Sequence, residues 1–498
     1  MSYPAGPTAA IPPPVPRRLS HLLAANPARA MPEPIDSLRL DSGTPARKEG
    51  HNSPFGRLLT VALAQQKTLG AAITVFTVLV IAGLTLAPGA GPPADHFDLC
   101  ITCGTHWASD FGLNVLLFVP FGFGLRLAGV RLRTTCLVVV ASTVSIELLQ
   151  YSVVPGRDSD LSDILSNSLG GGMGIAAAGF RRQLLAPSAS AAIRLSTAGA
   201  LGCCALAACV QWALSISLPH SVYYEQVAPQ LGQFTTFHGQ VITASFNGAP
   251  FPGGRLPVQA SVAMRDDLIV GNARLVGVIT TASPPRRLAP VLSVFDDQHR
   301  EIFVLGQRHR DLIFQIRRHT DDWGFRSPSL ALSDAVPPQP GLDDTLRISA
   351  TFDAGAGAPR IGAVSPAGRI ERRIGTGVWQ AWSLLLPDEG RYGRFATPVT
   401  LLVVATMFAP LGYWGGRVSL GANPVAPSAR GEATTGRARR AASAAAPSIL
   451  TLGAALAIIP WIAGSPAAPW PAWSAGAAAL AFGGLVARRM SPFLDAEL

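Results

Sequence analysis

Apolar runs of about twenty residues constrain the fold of this chain more than any other feature of its sequence. A helix needs about 20 apolar residues to cross the hydrocarbon core of a bilayer, and eight runs approach that length. They cover residues 69–87, 111–129, 134–153, 161–180, 195–218, 397–414, 447–464 and 470–487. Only 14% of the 498 residues are charged, against roughly 25% in an average soluble domain. The sequence therefore predicts a polytopic α-helical membrane protein with about eight spans.

Arginine positions predict the orientation of these spans. Basic residues are enriched in cytoplasmic loops, and if all eight spans form, the short arginine clusters of this chain all fall on one side. The clusters lie in the N-terminal segment and in 126–133, 181–194, 417–440 and 488–489. Both termini are therefore expected in the cytoplasm, and segments 88–110, 154–160 and 219–396 outside it. Because the arginines follow the spans in this way, the net charge of +10 is not taken as a sign of nucleic-acid binding.

Composition divides the chain into five predicted parts. The N-terminal segment is rich in Pro, Ala and Arg and lacks hydrophobic periodicity, which is typical of a disordered tail. The parts are a cytoplasmic tail (1–66), a four-helix membrane unit (67–185), a fifth transmembrane helix (193–218), an extracytoplasmic β domain (219–395) and three C-terminal transmembrane helices (396–489).

The β domain is predicted from alternating apolar and polar residues between about 222 and 392. The runs "LSVF", "EIFVLGQ" and "LIFQIRR", separated by the polar turns "DDQH" and "RHRD", predict a β-meander. Further strands are expected at "QVITASF", "VQASVAM", "ARLVGVITT", "TLRISATF" and "GRIERRIG". Roughly eight to twelve strands favour a β-sandwich of the jelly-roll type. Their order and spacing resemble concanavalin-A-like or laminin-G-like domains.

That resemblance implies a glycan as a ligand of the β domain. Hydrolytic sandwiches use two nearby carboxylates, but no E-x-D-x-x-E-type run occurs in the sequence. Asp321, Asp322 and Trp323 are candidates for contact with a sugar. The alternative is a solvated turn with a packed tryptophan.

Polar residues interrupt the second, third and fourth predicted spans at a similar depth. Residues three or four apart share one face of a helix, and the polar residues of each span have that spacing. A carboxylate at the centre of a transmembrane helix costs roughly 2.5–3.5 kcal/mol, so these side chains are expected to face one another in a pocket open to the outside. The candidate pocket residues are Asp110, Asn114, Glu147, Gln150, Arg157, Asp160, Asp163 and Asn167. Arg157, in the connecting loop, is the expected charge partner.

These residues carry a family resemblance. The segments "LNVLLFVPFG", "SIELLQ" and "GRDSDLSDILSNSLGG", in this order, resemble the VanZ-like membrane proteins. The family pattern is an Asn-bearing span ending in a Phe-Pro-Gly-like run, then E-x-x-Q, then R-x-x-D-x-x-D-x-x-x-N-x-x-G. The resemblance covers about residues 70–185, so the β domain and the last three spans are additions to the family's unit. It implies a bacterial inner-membrane protein of the cell envelope, in a family associated with low-level resistance to the glycopeptide teicoplanin.

Three interpretations of the pocket follow. It binds a membrane lipid or a lipid-linked saccharide, in cell-envelope or exopolysaccharide biology, or it belongs to an enzyme that hydrolyses or transfers a phosphorylated lipid headgroup. A divalent cation is a candidate cofactor for the enzyme, because hard cations prefer oxygen ligands, and Arg157 would assist by binding the phosphate. In the third interpretation, the side chains form a satisfied network that joins three helices. The sequence favours the binding role and leaves catalysis open.

The first exported loop contains "HFDLCITCGTHW". The spacing of His96, Cys100, Cys103 and His106 is compatible with zinc, whereas an oxidising compartment favours a Cys100–Cys103 disulfide. Free thiols are the third alternative. The other cysteines lie within predicted spans, where packing as small apolar residues explains them.

Overall fold

The computed structural model describes most of the chain beyond its N-terminal segment. The described residues are 54–88, 97–102, 104–156, 159–230, 234–280, 284–337, 345–353, 358–366, 368–386, 395–421 and 446–495. Most of the predicted tail, residues 1–53, lies outside them. The first helix already begins at Pro54, ahead of the predicted end of the tail at residue 66.

The helices of the described residues follow the apolar runs. In chain order they are α1 Pro54–Thr85, α2 Trp107–Leu127, α3 Leu132–Ser152, α4 Leu161–Gly179, α5 Arg181–Leu185, α6 Ala189–Ala213, α7 Val258–Val270, α8 His319–Asp322, α9 Ala396–Gly421, α10 Ala446–Ile462 and α11 Trp470–Asp495. Six of them, α1, α2, α3, α6, α9 and α11, contain segments long and apolar enough to cross a membrane. The fourth and seventh predicted spans form α4 and α10, which are not among the six; α10 is shorter. The described residues thus support a membrane protein with six candidate spans, and the count of about eight is not confirmed.

The strands form two large sheets. In chain order they are β1 Phe97–Asp98, β2 Ser159–Asp160, β3 Tyr223–Val227, β4 Val241–Phe246, β5 Ala249–Pro250, β6 Gly254–Arg255, β7 Arg274–Thr280, β8 Ala289–Asp296, β9 Glu301–Arg308, β10 Asp311–Ile316, β11 Leu330–Leu332, β12 Thr345–Thr351, β13 Arg360–Ser365 and β14 Gly368–Arg373. Sheet I has the order β11-β10-β9-β8-β3-β6 and sheet II the order β14-β13-β12-β7-β4-β5. All of their pairings are antiparallel. The predicted meander is β8–β9–β10, whereas this strand order alone does not establish a jelly roll or a concanavalin-A-like fold.

The two sheets share one hydrophobic core, and sheet I is also buried on its other face. Phe303 and Phe314 of sheet I join Ile348 of sheet II in the shared core. Because side chains alternate between the faces of a strand, Val304 and Ile313 lie on the opposite face of sheet I, in a second buried cluster. Burial on both faces explains why the strands of sheet I read as nearly continuous apolar runs.

One predicted strand, "VQASVAM", is instead the start of helix α7, so that prediction is wrong. The buried residues of α7 are Ser261, Met264 and Leu268, which are spaced three and four apart as on one helix face. Pro257 precedes the helix and Gly271 ends it in the left-handed conformation, with φ 79°. Both are ordinary helix-boundary residues. Within this short run, apolar and polar residues alternate as in a strand. The helical spacing becomes visible only when the flanking residues are included.

Glu225 on β3 makes the stability of the β domain depend on pH. Burial raises the pKa of this carboxyl to about 7, although the Gly253 backbone N–H favours the charged form. Only 4% of Glu225 is exposed. In the unfolded chain Glu225 releases its proton near its ordinary pKa, whereas in the folded protein it keeps the proton until about pH 7. The contribution of Glu225 to the free energy of unfolding is therefore complete below the ordinary pKa and is lost as the pH rises towards 7. Across this window we expect a loss of about 3 kcal/mol, since one pKa unit corresponds to roughly 1.4 kcal/mol.

The check is thermal melting of the purified protein between pH 4 and 8, beside Glu225→Gln. The difference between the two proteins should change across this window, because glutamine does not titrate. Asp296 does not interfere: burial would raise its pKa, but bonds from Arg300 and from backbone N–H groups together lower it, which places its titration below the window. Parallel melting curves for the two proteins would contradict the assignment to Glu225.

The β domain contacts the membrane helices at the N-terminal end of α2. The backbone N–H of Ala108 donates to the Gly324 carbonyl at 3.0 Å, and the Ser109 hydroxyl donates to the Leu384 carbonyl at 2.5 Å. Gly324 has φ +69°, and a Cβ there would lie 2.3 Å from the Trp107 ring. A glycine is therefore required at position 324 both by its conformation and by the close approach of α2.

A second contact lies at the C-terminal end of α6. The Trp212 ring lies 4.7 Å from the His319 ring, and the buried guanidinium of Arg318 donates to the Leu214 carbonyl at 2.6 Å. Ser217 donates to Asp322 at 2.6 Å. Two membrane helices thus hold the same region of the β domain, residues 318–326.

The C-terminal helices pack against α5 and α6. The Trp414 indole of α9 donates to the Leu184 carbonyl at 3.1 Å, and Gln211 of α6 donates to Ser465 at 2.9 Å. A Cβ on Gly412 would lie 2.2 Å from the Leu480 carbonyl oxygen, so α9 and α11 approach at backbone distance. The last helices therefore pack directly on the helices that precede the β domain.

Candidate functional site

Polar side chains from α2, α3 and α4 meet where α3 ends and α4 begins. We call this group the polar cluster; it consists of Asn114, Thr143, Glu147, Gln150, Asp160, Asp163 and Asn167. The start of α4 is fixed locally, because the Asp160 carboxylate accepts from the Asp163 backbone N–H at 2.8 Å and caps the helix. β2, just before this cap, pairs in parallel with β1 of the first loop. Helix ends and loop are thus joined at the cluster.

Two amide side chains connect the three helices. Asn114 of α2 donates to the Asp163 carboxylate of α4 at 2.7 Å. Asn167, one turn further along α4, donates to the Thr143 hydroxyl of α3 at 3.0 Å. Asn167 is 2% exposed and Thr143 is fully buried. The predicted convergence of the three polar stripes is therefore found for Asn114, Asp163 and Asn167.

Glu147 lies on the buried side of α3, with 2% of its surface exposed. One carboxylate oxygen, Oε2, accepts from the Asp160 backbone N–H at 3.2 Å, and the Ser159 hydroxyl donates to the Glu147 carbonyl at 3.0 Å. One turn later, the Gln150 amide donates to the Thr85 carbonyl at 2.9 Å. These bonds hold the two side chains of the E-x-x-Q pair in place.

Three buried acceptor oxygens of the cluster have no hydrogen-bond donor among the described residues. They are Glu147 Oε1, Gln150 Oε1 and Asn167 Oδ1. An unpaired buried polar group costs roughly 1–3 kcal/mol, and more if it is charged. Each of the three side chains is held by its other polar atom, so none can rotate away without losing a bond. The geometry therefore presents three fixed acceptors that need donors or a cation.

Close packing of α4 on α2 positions this cluster. A Cβ on Gly170 would lie 2.2 Å from the Val115 carbonyl oxygen, and one on Gly174 would lie 2.0 Å from the Val119 carbonyl oxygen. The small residues of α4 thus let the two backbones touch, as expected of such stripes in membrane helices. The approach places Asn114 within reach of Asp163.

Other predicted site residues lie elsewhere. Asp110 is not in the cluster: its exposed side chain pairs with Arg326 of the β domain at 3.0 Å. Asp110 was predicted in the cluster because it shares a helix face with Asn114. Its actual partner, Arg326, is 216 positions away in the chain. Arg157, the predicted charge partner, lies outside the described residues.

Of the predicted sugar-contact residues, the two aspartates are bonded within the protein and the tryptophan is exposed. Asp321 accepts from the Arg318 backbone N–H at 2.8 Å, and Asp322 pairs with Arg317 at 2.6 Å; both lie in the short helix α8 rather than in a turn. Trp323 is 55% exposed and lies edge-on to Trp212. The carboxylates therefore stabilise the domain contact, and the tryptophan faces outward.

Sequence reasoning missed Thr143, Ser159 and Thr85, which complete the hydrogen bonds of the cluster. For Thr143 a signal existed, because it lies four residues before Glu147 on the same face of α3. Thr85 contributes only a backbone carbonyl, which no side-chain pattern reveals.

The metal and disulfide alternatives concern both the cluster and the first loop. Within the described residues, no group of three or more His, Cys, Asp or Glu side chains is arranged to hold a metal ion. Cys100 is disulfide-bonded, while its predicted partner Cys103 and the predicted zinc ligand His96 lie outside the described residues. Cys136, Cys203, Cys204 and Cys209 are free thiols.

Comparison with known families identifies the helical unit that carries the cluster. The family model VanZ-LLP1, described as VanZ/LLP1, matches residues 92–182. That segment spans α2, α3 and α4 and includes every residue of the polar cluster. No curated protein and no solved structure matches the chain. Residues 92–182 thus form a VanZ-like domain within a membrane protein.

Proposed function

We propose that this protein is a cell-envelope protein of the inner membrane, whose polar cluster binds a headgroup that donates hydrogen bonds. The observation that carries the proposal is the set of three fixed, buried acceptors, Glu147 Oε1, Gln150 Oε1 and Asn167 Oδ1. A network that served only to join helices would be expected to satisfy its buried polar atoms. A ligand that donates to these oxygens would remove their cost.

The chemistry of the cluster selects among headgroups. The three oxygens that lack a donor among the described residues are acceptors, and carboxylates of Asp163 and Asp160 lie within electrostatic range of Glu147. An anionic phosphate brings further acceptors and negative charge, so it fits poorly. An ammonium group or the hydroxyls of a sugar bring donors, since ammonium has three N–H groups and each hydroxyl has one. The proposed ligand class is therefore an amine- or hydroxyl-bearing lipid headgroup, including a lipid-linked saccharide.

The placement of the domains forms part of the proposal. If α4 and α10 cross the membrane together with the six candidate spans, the arginine-rich segments all lie on one side of it, which favours cytoplasmic termini and a β domain outside the cytoplasm. The cluster then lies at the outer end of α3 and the beginning of α4, at the depth of lipid headgroups. Both the cluster and the β domain face the compartment in which envelope polymers and their lipid carriers are exposed.

The test compares lipids that differ in their ability to donate hydrogen bonds. The full-length protein is purified, and bound lipids are counted by native mass spectrometry after exposure to phosphatidylethanolamine, a glycosyl diacylglycerol or phosphatidylcholine. Choline has no N–H group, so it serves as the matched non-donor. We expect wild type to prefer at least one of the two donor lipids over phosphatidylcholine by about tenfold, because a hydrogen bond to a charged group contributes roughly 1.5–3 kcal/mol.

Variants locate the preference. Glu147→Gln keeps the shape of the side chain but replaces one carboxyl oxygen with an NH₂ group, and it should abolish most of the preference. Glu371→Gln, on strand β14, makes the same chemical change far from the cluster and should leave the preference intact. Arg157→Gln tests whether Arg157, rather than a bound lipid, supplies hydrogen-bond donors to the three acceptors. Equal binding of all three lipids by wild type, with matching losses of stability in Glu147→Gln and Arg157→Gln, would assign the cluster to structure alone.

A further inference from the structure

A polar cavity lies where the β domain meets the first loop and α2. Its volume is about 770 Å³, within the roughly 300–1,000 Å³ of small-molecule sites. One wall is formed by Thr102 and residues 104–107, and the other by sheet I and the segment after α8. We call it the junction cavity. None of its lining residues belongs to the polar cluster.

The walls of the junction cavity are held together by bonds across the domain contact. Arg326, which lines the cavity, donates through its backbone N–H to the Ser109 hydroxyl at 2.8 Å and pairs with Asp110 at 3.0 Å. The Ala108–Gly324 backbone bond closes the same side. The cavity is therefore preformed, which lowers the entropic cost of binding.

Acidic and basic side chains line the cavity in equal number: Arg300, Arg317, Arg326, Glu301, Asp321 and Asp322. Arg300 pairs with Asp296 at 2.7 Å, Arg317 with Asp322 at 2.6 Å and Arg326 with Asp110. An anion entering the cavity would meet acidic side chains as well as arginines, and a cation would meet all three guanidinium groups. The lining thus gives no net advantage to either kind of ion.

The paired groups still offer hydrogen bonds. A guanidinium has five N–H donors and a carboxylate accepts at both oxygens, so the lining arginines retain donors and the partly exposed Asp322 carboxylate retains acceptor capacity. Gln315 and Ser329, joined by a 2.8 Å bond, add neutral polar groups, while Phe234 and Trp107 add apolar surface. A ligand that both donates and accepts, carries no charge and has apolar faces matches this lining.

We infer that the junction cavity binds a neutral oligosaccharide. Sugar hydroxyls donate and accept at once, and the C–H faces of a sugar ring pack against aromatic side chains. The inference rests on the proposed envelope function in one respect, the exposure of this side of the protein to envelope saccharides. It involves different residues, so the two can fail separately.

The location also connects the two sites. Trp107 at the cavity and Asn114 at the polar cluster lie on the same helix, seven residues apart, which corresponds to about 10 Å along its axis. A lipid-linked saccharide is therefore the ligand whose two ends would reach both places, its carbohydrate in the cavity and its lipid-proximal part at the cluster.

The experiment uses the full-length protein in nanodiscs on an array of neutral and uronate-containing oligosaccharides. Wild type should bind neutral members. Thr102→Trp, which fills the cavity from an exposed loop position, and Gln315→Leu, which removes hydrogen bonding at similar volume, should weaken binding by about tenfold, as expected for the loss of roughly 1.4 kcal/mol. Thr345→Trp, on an exposed position of sheet II, is the matched control and should bind as wild type does.

A measurement on wild type alone removes any dependence on how the variants fold. Hydrogen–deuterium exchange should slow at residues 104–107 and 326–329 when the best neutral saccharide of the array is added. Glu147→Gln should retain array binding even if it loses its lipid preference. The inference is overturned if no neutral saccharide binds, if uronate-containing ones bind better, or if protection appears elsewhere.

Discussion

Gly174→Ala is expected to lower the free energy of unfolding by about 3 kcal/mol, the upper end of the usual range for overpacking a core. The added Cβ would lie 2.0 Å from the Val119 carbonyl oxygen and 2.6 Å from the Phe123 backbone nitrogen. Both are backbone atoms of α2, so no side chain can rotate to make room. The two helices must separate, and the Asn114–Asp163 bond must lengthen with them.

Gly172→Ala supplies the matched control, because a Cβ at Gly172 meets nothing within 4 Å. The same chemical change on the same helix should leave stability within about 0.5 kcal/mol of wild type or increase it slightly, since alanine favours a helix more than glycine does. The measurement is detergent-solubilised unfolding of the two variants beside wild type. Equal destabilisation by both substitutions would show that helix propensity, rather than the contact with α2, determines the effect.

Arg318→Ala is the second large effect, with an expected loss of about 3 kcal/mol. Arg318 is 4% exposed, and burial lowers the pKa of its guanidinium to about 10, so it stays charged at neutral pH. Its side chain donates to the Leu214 carbonyl at 2.6 Å and to the Thr376 hydroxyl at 3.3 Å. Bonds of charged donors contribute roughly 1.5–3 kcal/mol each. Alanine removes both and leaves a cavity at the contact between α6 and the β domain.

The loss should be local before it is global. Limited proteolysis should cut the connection between α6 and β3 faster in Arg318→Ala than in wild type, because the Leu214 carbonyl at the end of α6 loses its partner. Arg372→Ala, on the exposed strand β14, controls for the loss of an arginine. Unchanged cleavage in Arg318→Ala would mean that the other contacts at α6, such as Trp212 with His319, are sufficient by themselves.

Local patterns predicted most of the elements. Apolar length identified α1, α2, α3, α6, α9 and α11, because hydropathy over one helix is a property of that segment alone. Alternation identified β7, and runs of β-forming residues between polar turns identified β8 to β10 in the same way. The prediction failed at α7, where a short alternating run was read without the helix-ending glycine that follows it.

Tertiary structure decided which polar residues belong together. Asn114, Glu147, Asp163 and Asn167 were all predicted as site residues, since helical spacing fixes the face each one occupies. Helical spacing did not predict that Asp110 pairs with Arg326 of the β domain, or that the amide of Gln150 donates to a backbone carbonyl of α1. Those partners come from distant segments.

The sequence by itself determined six membrane-length helices, most of the strands and the polar stripes, because each depends on residues close to one another in the chain. The junction cavity and the approach of Asn114 to Asp163 were decided only by the tertiary structure. The cavity exists because α2 and α6 hold residues 318–326, and the two side chains meet because glycines bring α4 against the backbone of α2. Both features depend on close contacts between backbone segments. The packing of whole helices determines these contacts, and no local sequence pattern predicts them.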